Sequence, residues 1–238
     1  MPDPAVLRAR LADVRDRIAR AAARAGRDPS SITLLAVSKT FGADAVRAAA
    51  AEGQIDFGEN KVQETQLKRA ATQDLTVVWH LIGHLQSNKA KKAAAEFDVI
   101  HSIDSADLVK KIDAAAAEAG RRIRLLAQAD LAGEATKHGA REDELLSIFE
   151  AADGCSAVSM TGLMIIPPAV SSPEEARPWF RKLRDVRDRL LKQGVRPSQL
   201  TELSMGMSHD YEIAIEEGAT IVRVGTALFG GRTYAAST

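Results

Sequence analysis

The chain has 238 residues, 45% of them hydrophobic and 27% charged, a balance that is ordinary for a folded protein with a buried core. Lysine plus arginine and aspartate plus glutamate number 32 each, so the net charge of +0 gives no electrostatic reason to expect nucleic acid or an anionic membrane as partner. The single cysteine, Cys155, excludes an internal disulfide, and the sequence shows no signal peptide or membrane span, so we expect a cytoplasmic protein.

The first 28 residues read as one amphipathic helix. Leu7, Leu11, Val14 and Ile18 recur at helical spacing, so this helix is expected to pack outside the strand that follows. Beyond it, apolar runs alternate with alanine-rich stretches. Eight runs are predicted to be strands: 32–39, 55–60, 77–83, 99–104, 123–131, 158–166, 200–206 and 221–230. Helices are predicted between them, including 43–53, 105–120 and 173–194, each of which ends in glycine.

Strands rich in leucine, isoleucine and valine, separated by helices, are typical of a parallel sheet that helices cover on both faces. Eight such units in a chain of single-domain length indicate an α/β fold of the (β/α)₈ barrel class. A doubly wound open sheet is the alternative, and the strand count does not exclude it. No linker or compositional break divides the sequence, so 1–238 is predicted to be one domain, with 1–28 as a helix outside the barrel.

Small and hydroxyl residues stand near the ends of the last two predicted strands. Loops after strands seven and eight are where such barrels commonly bind phosphate. The segment SMGMS (204–208) brings Ser204 and Gly206 to this region, and VGT brings Gly225 and Thr226. Small residues let backbone N–H groups approach an anion closely. Tight turns alone would account for either segment, but their occurrence at both places favours a phosphate site.

The first predicted strand ends in Lys39. A lysine at this position can lay its stem along the strand and extend its ammonium group into water. It can instead be a Schiff-base lysine, whose amine attacks an aldehyde. The second interpretation gains weight because Lys39 would face a barrel mouth that also holds a phosphate site. An aldehyde that carries a phosphate would satisfy both ends, and pyridoxal 5′-phosphate and phosphorylated sugars both meet this description.

An arginine, Arg223, interrupts the apolar run IVRVG of the eighth predicted strand, where an unpartnered charge would be costly. One partner would be the ring nitrogen of a pyridine, to which a guanidinium group can donate a hydrogen bond. Because arginine stays protonated, the pyridine nitrogen would stay unprotonated and the ring would be a weak electron sink. The alternative partner is a strand carboxylate such as that of Glu202.

Seven segments together resemble the YggS/PROSC family of pyridoxal phosphate homeostasis proteins: AVSKT, DFGENKVQE, WHLIGHLQSNK, HSIDS, GLMIIPP, LSMGMSHDYEIAI and VRVGTALFG. The match runs from about Leu35 to Gly230, with the motifs in the family's order. The resemblance implies a single barrel similar to the N-terminal domain of alanine racemase, which is the fold of type III pyridoxal phosphate proteins. It also implies that pyridoxal 5′-phosphate is bound as an internal aldimine on Lys39.

The same resemblance implies where the rest of the cofactor lies. Asn60, in GENK, would lie beside the ring, and Arg223 would approach the pyridine nitrogen. Ser204 in LSMGMS, together with Gly225 and Thr226 in RVGT, would hold the phosphate. These positions are expectations that the family's motifs carry over, residue by residue, to this sequence.

The family is regarded as binding and buffering the cofactor and not as a demonstrated catalyst, so we expect no catalytic residue. Racemisation calls for acid–base groups on both faces of the bound substrate. Lys39 could serve one face, but racemases take the tyrosine of the other face from a further domain, which we do not expect in a sequence of this length. Tyr211 and Tyr234 are not convincingly placed, which leaves His84 as a candidate second base.

Three functions therefore stay open. The first is cofactor homeostasis by a monomer that holds pyridoxal 5′-phosphate and delivers it, with apo enzymes that use this cofactor as recipients. The second is a small amino-acid racemase or lyase that uses the same aldimine. The third is a Schiff-base aldolase of a phosphorylated sugar. No metal site is predicted, because His80 and His84 lie in a strand and its loop without a further ligand nearby.

Overall fold

The centre of the computed structural model, which describes residues 3–133 and 138–231, is a closed barrel of eight parallel strands arranged in chain order. The first strand pairs with the second and also with the eighth, which closes the ring. The barrel prediction is thus confirmed and the open sheet is excluded. The strands are β1 Thr33–Val37, β2 Asp56–Glu59, β3 Val78–Leu81, β4 Val99–Ile103, β5 Ile123–Gln128, β6 Val158–Met164, β7 Glu202–Met207 and β8 Ile221–Val224.

Helices precede, connect and follow these strands. Within the described ranges they are α1 Pro4–Arg24, α2 Ala43–Ala51, α3 Val62–Ala71, α4 Ala90–Glu96, α5 Ala106–Glu118, α6 Glu142–Asp153, α7 Arg177–Lys192, α8 Tyr211–Glu216 and α9 Thr226–Phe229. The longest predicted connecting helix, 173–194, begins as a 3₁₀ turn and becomes α-helical at Arg177, so Pro178 lies in its first turn, where proline is tolerated. None of these helices combines the length and apolar character that crossing a membrane requires.

Two hydrophobic cores result from the alternation of side chains along each strand. Leu35 and Val37 of β1 belong to a small cluster with Leu126, Met164 and Ile221, which fills the barrel interior. The residues between them belong to the larger cluster that the helices cover. Each strand is therefore buried on both faces, as the leucine-rich runs predict.

The N-terminal helix lies outside the barrel against the last helical segments. Its apolar stripe, which includes Leu7, Leu11, Val14 and Ile18, is buried. Its arginines reach α8, where Arg17 lies 2.6 Å from a carboxylate oxygen of Glu212. The helix predicted over 1–28 is therefore found at Pro4–Arg24 and packs beside the segment that follows β7.

The last two strands differ from their predicted ranges in a way that matters for the site. The eighth run was predicted as a strand over 221–230, but β8 ends at Val224 and α9 begins at Thr226. The reason is local, since the amides of Phe229 and Gly230 turn back to bond the carbonyls of Gly225 and Thr226. The seventh strand extends past its predicted end at 206 and includes Met207.

A glycine in β6 is fixed by the close approach of β7. A Cβ atom at Gly162 would lie 1.9 Å from the carbonyl oxygen of Glu202, a backbone atom that cannot move without displacing the strand. We expect Gly162→Ala to lower the free energy of unfolding by about 2–3 kcal/mol, as overpacking of an interior does. Urea denaturation followed by circular dichroism measures this change.

Gly154→Ala is the matched control, because this glycine follows α6 with a negative φ of −90° and has no atom within 4 Å of its added Cβ. The control should change stability by less than about 0.5 kcal/mol. Equal stabilities for the two variants would contradict the strand contact described here.

Candidate functional site

A cavity of about 620 Å³ opens at the carboxyl ends of the strands. This is a volume typical of sites for small molecules and cofactors, and in barrels of this class it is the end that carries function. Residues from seven of the eight strands or from the loops that follow them line the cavity: Val37, Lys39, Asn60, Ile82, Gly83, His84, Gln128, His138, Ile166, Met207, Ser208, His209, Arg223, Gly225 and Thr226.

Lys39 lines this cavity and is partly buried. It lies two residues beyond Val37 and four beyond Leu35, so it continues the row of β1 side chains that face the barrel interior. The next residue, Thr40, has φ of 72°, a left-handed conformation that β-branched residues rarely adopt. Strained backbone of this kind persists only where the surroundings hold it, and it commonly accompanies functional sites.

The backbone that carries Lys39 is anchored from the outer face of the barrel. Ser38 donates from its hydroxyl to Oε1 of Glu59 at 2.5 Å, and Lys68 of α3 donates to the same oxygen at 2.5 Å and to the carbonyl of Ser38 at 2.8 Å. Glu59 is fully buried, and burial raises the pKa of its carboxyl group. This cluster fixes the position of β1 immediately before Lys39.

Arg223 brings a buried cation to the cavity from β8, the strand that pairs with β1. Its guanidinium group donates to the carbonyl and hydroxyl oxygens of Ser204, at 2.7 and 2.9 Å, and to the carbonyl of Ile165 at 2.8 Å. Burial lowers its pKa to about 10, which still leaves it protonated at neutral pH. The alternative ion pair with Glu202 is not formed, because Glu202 bonds Arg124 at 2.8 Å instead.

Ser208 is the hydroxyl that faces the cavity in the loop after β7. Its Oγ accepts hydrogen bonds from the amides of Gly225 and Ala227, at 3.1 and 3.3 Å, so its own hydrogen is available to a ligand. The loop is held by Asp210, whose carboxylate accepts from the amide of Met207 at 2.6 Å. Of the first two amides of α9, that of Ala227 is taken by Ser208, and that of Thr226 has no acceptor within the helix. Together with the exposed Thr226, these donors form a cradle suited to an anion.

Ser204 lies elsewhere than the motif implied. It is fully buried in the middle of β7, does not line the cavity, and bonds Arg223 and His101. The strand extends beyond it to Met207, and Gly206 turns the backbone with φ of 90°, where a Cβ would lie 2.6 Å from that of Ala214. The hydroxyl at the cavity is therefore that of Ser208, four residues later.

The other expected residues are distributed around the same cavity. Asn60, Gly225 and Thr226 line it, as does His84. The ring of His84 stacks on His138, with centroids 3.6 Å apart and planes 11° apart. Burial, followed by the neighbouring His138, lowers the pKa of His84. The site thus combines Lys39 with five of the sequence-derived candidates, whereas Ser204 and Gly206 lie outside its lining.

Two further expectations concern residues away from the cavity. Tyr211 is buried at the start of α8, beside Arg17, and does not reach the cavity. Tyr234 lies outside the described residues. His80 is buried in the barrel interior, and no cluster of three or more metal-ligating side chains occurs among residues 3–133 and 138–231.

Several residues of the site were not identified from the sequence. Ser208 belongs to the same SMGMS segment as Ser204, and its position after the strand end was the available signal. Gln128 carried a signal too, because it follows Leu126 by two positions and so shares its face of β5. His138 and Ile166 follow their strands in loops whose course the sequence does not indicate.

Residues 10–233 match the family model for the alanine racemase N-terminal domain. The chain is 44% identical over 225 residues to the pyridoxal phosphate homeostasis protein of Aquifex aeolicus (strain VF5), covering 94% of this chain and 98% of that protein. It is 40% identical over 227 residues to the protein of the same name from Escherichia coli (strain K12), covering 94% and 96%.

Solved structures of other proteins are similar to this one as well. PipY of Synechococcus elongatus PCC7942, whose structure has PLP bound, is 41% identical with a TM-score of 0.83, covering 94% of this chain and 100% of that one. Alanine racemase of Clostridium difficile 630 shares the fold at 16% identity, with a TM-score of 0.72 over 97% of this chain and 58% of the racemase.

The buried pair behind Lys39 makes a testable contribution to stability. In Lys68→Met the carboxylate of Glu59 keeps its burial and loses its cation, so we expect a loss of about 3–5 kcal/mol in the free energy of unfolding at pH 8. The loss should be smaller at pH 5. The pKa of Glu59 is already raised in the folded state and rises further without Lys68, so stability decreases as pH rises through that value.

Urea denaturation at the two pH values measures the effect. Lys61→Met is the control, because Lys61 is exposed and pairs only with Glu64 one turn away, so its loss should stay within about 0.5 kcal/mol. A loss in Lys68→Met that is independent of pH would show that the buried carboxylate is not the cause.

Proposed function

Because the chain belongs to the pyridoxal phosphate homeostasis proteins of the alanine racemase N-terminal domain family, we propose that it binds pyridoxal 5′-phosphate in this cavity and maintains a supply of it. One observation carries the proposal. A single cavity brings together an amine at Lys39, a buried guanidinium at Arg223, and the hydroxyl and amide donors of Ser208 and Thr226. The amine can react with an aldehyde, the guanidinium group can donate to a pyridine nitrogen, and the hydroxyl and amide groups can donate to a phosphate.

Lys39 is the residue we assign to the aldehyde. Its amine would form a Schiff base with the cofactor, with loss of water, and hydrolysis of that bond would release the cofactor again. The anchored backbone of Ser38 holds the lysine in place for this bond.

The phosphate is assigned to the cradle formed by Ser208, Gly225 and Thr226. Ser208 can donate its hydroxyl hydrogen, and the start of α9 supplies backbone N–H groups. Asn60 is assigned to the side of the ring, since it lines the cavity immediately after β2. Ser204, which the motif linked to the phosphate, is assigned to Arg223 instead.

Arg223 is assigned to the pyridine nitrogen. Its permanent charge means that it can only donate a hydrogen bond there, so the ring nitrogen would remain unprotonated. An unprotonated pyridine withdraws electrons weakly, and this suits retention of the cofactor better than chemistry on a bound amino acid. We therefore propose buffering and delivery as the role, with apo enzymes that need the cofactor as recipients.

A racemase or lyase is the second candidate, and the presence of His84 in the cavity is the observation that favours it. Racemisation needs a second base opposite Lys39. Tyr211 is too deeply buried beside Arg17 to act as that base. His84 has its ring stacked on His138 and one nitrogen 3.6 Å from Asp104, which constrains its approach to a substrate.

We expect the purified protein to take up pyridoxal 5′-phosphate with the visible absorbance of a Schiff base, and Lys39→Ala to abolish this absorbance. Borohydride treatment before proteolysis should leave the label on the peptide that contains Lys39. The measurement is an absorbance titration followed by peptide mapping by mass spectrometry. Lys91→Ala is the control, because Lys91 is exposed and pairs with Glu118 away from the cavity, so uptake should be unchanged.

Unchanged uptake by Lys39→Ala would overturn the assignment of the Schiff base. A wild-type protein that gains no absorbance and retains no label after borohydride would overturn the proposed cofactor as well.

Incubation of the loaded protein with a panel of amino acids distinguishes a carrier from a racemase. We expect no conversion above that of free pyridoxal 5′-phosphate, because the stacking of His84 on His138 restricts its use as a second base. Chiral chromatography of the amino acids measures it, with His84→Ala as the second sample. Steady conversion that both Lys39→Ala and His84→Ala abolish would establish the enzyme instead.

A further inference from the structure

A chain of hydrogen-bonded polar side chains runs through the interior of the barrel, and the function proposed above does not account for it. Arg223 donates to the hydroxyl of Ser204 at 2.9 Å, and that hydroxyl lies 2.9 Å from Nδ1 of His101. Nε2 of His101 is 2.8 Å from Nδ1 of His80, whose Nε2 is 3.0 Å from the carboxylate of Asp56. The chain begins at the cavity and ends at the first residue of β2, at the opposite end of the barrel.

The positions of the hydrogens follow from the two charged ends. Arg223 can only donate, so the oxygen of Ser204 accepts from it and the hydroxyl hydrogen points to His101. Nδ1 of His101 is then the acceptor, and its Nε2 carries the hydrogen that His80 accepts. His80 in turn donates from Nε2 to the carboxylate of Asp56. Each hydrogen in this arrangement has an acceptor.

Any other arrangement leaves a group unsatisfied. If His80 were doubly protonated, or if Asp56 carried a proton and donated it, His80 would donate from Nδ1 to His101, and His101 would donate from Nδ1 to Ser204. The hydroxyl of Ser204 would then accept from both Arg223 and His101, and its own hydrogen would have no acceptor among these buried side chains. Burial, followed by neighbouring groups, holds the pKa of His101 well below its usual value, which agrees with a neutral ring at this position.

Among residues 3–133 and 138–231, the charged groups near these side chains are bonded elsewhere. Ser204 and His101 are fully buried, and His80 and Arg223 nearly so. The hydrogen bonds of Arg223 within the described residues all go to uncharged oxygens. At the far end of the barrel, Arg124 is bonded to Glu202, and near the cavity Asp210 caps its own loop. Asp56 is thus the carboxylate to which the buried cation is linked.

We propose that His101 and His80 are positioning residues for Arg223, both neutral and both protonated at Nε2, which connect it through Ser204 to Asp56. This inference rests on the proposed function, since Arg223 is assigned there to the cofactor ring. By accepting the hydroxyl hydrogen of Ser204, His101 keeps a lone pair of that oxygen directed at the guanidinium group. Three of the five N–H groups of Arg223 are then bound by protein, which leaves two for a ligand.

The ring hydrogens can be observed without any ligand. Long-range ¹H–¹⁵N correlation spectra of the ligand-free protein at pH 7.5 should show two buried neutral imidazoles protonated at Nε2. The sequence has five histidines, and His80→Gln and His101→Gln assign the two signals. A signal of His101 protonated at Nδ1, or an imidazolium at either position, would overturn the proposed direction of the hydrogen bonds between Ser204 and Asp56.

Two substitutions of His101 separate positioning from packing. The amide oxygen of asparagine lies near the place of Nδ1, so His101→Asn can still accept from Ser204 while the link to His80 is lost. The longer side chain in His101→Gln reaches the place of Nε2, so it keeps His80 and loses Ser204. We expect the Kd for pyridoxal 5′-phosphate to rise about tenfold in His101→Gln and by less than about twofold in His101→Asn.

A role in packing alone predicts the reverse order, because asparagine is smaller and leaves the larger cavity. Equal affinities, or weaker binding by the asparagine variant, would overturn the positioning role. If the wild-type protein does not bind pyridoxal 5′-phosphate at all, the proposed function fails. The spectra of the ligand-free protein still decide the direction of the hydrogen bonds between Ser204 and Asp56.

Discussion

The site depends on one geometric constraint, which is that a strand in a closed barrel has only two faces. Side chains in phase with Leu35 and Val37 point to the interior, and this phase continues past the strand end to Lys39. The same holds on the neighbouring strand β8, where Arg223 is followed two residues later by Gly225. The cavity is therefore the upper layer of the interior core, in which polar and small residues replace leucine and isoleucine. The residue types thus change at the cavity layer, whereas the strands keep their direction.

The opposite face of the same strands supports the site from outside. Ser38 and Glu59, next to Lys39 and Asn60 in sequence, are directed at α3, where Lys68 closes the buried cluster. One oxygen of Glu59 has no hydrogen-bond partner among the described residues, although its other oxygen accepts two short bonds. A fully satisfied apolar layer would hold the strand ends with less electrostatic cost. The pair instead fixes one particular backbone position, which a Schiff-base lysine requires.

The fold class could be predicted from the sequence because eight buried runs alternate with helices, whereas closure of the ring is shown only by the pairing of β1 with β8. The site could be predicted where a residue type was unusual for its strand, as with Lys39 and Arg223. It could not be predicted where the strand end was uncertain by a few residues. The register of β7 against β8 shifts between Ser204 and Met207, and this irregularity places Ser208 at the cavity. The sequence also does not show on which face of a strand a histidine lies. The link between His101 and Arg223 is therefore visible only in the three-dimensional structure.

Closure of the ring between β1 and β8 has a consequence for biosynthesis. Leu35 and Arg223 are neighbours in the ladder although they come from near the two ends of the chain. A nascent chain on the ribosome therefore has its reactive amine early and lacks the guanidinium and the anion cradle until almost the whole sequence has emerged. The complete cavity exists only after synthesis of β8, so a ligand that requires all of its walls selects full-length, closed molecules over truncated ones.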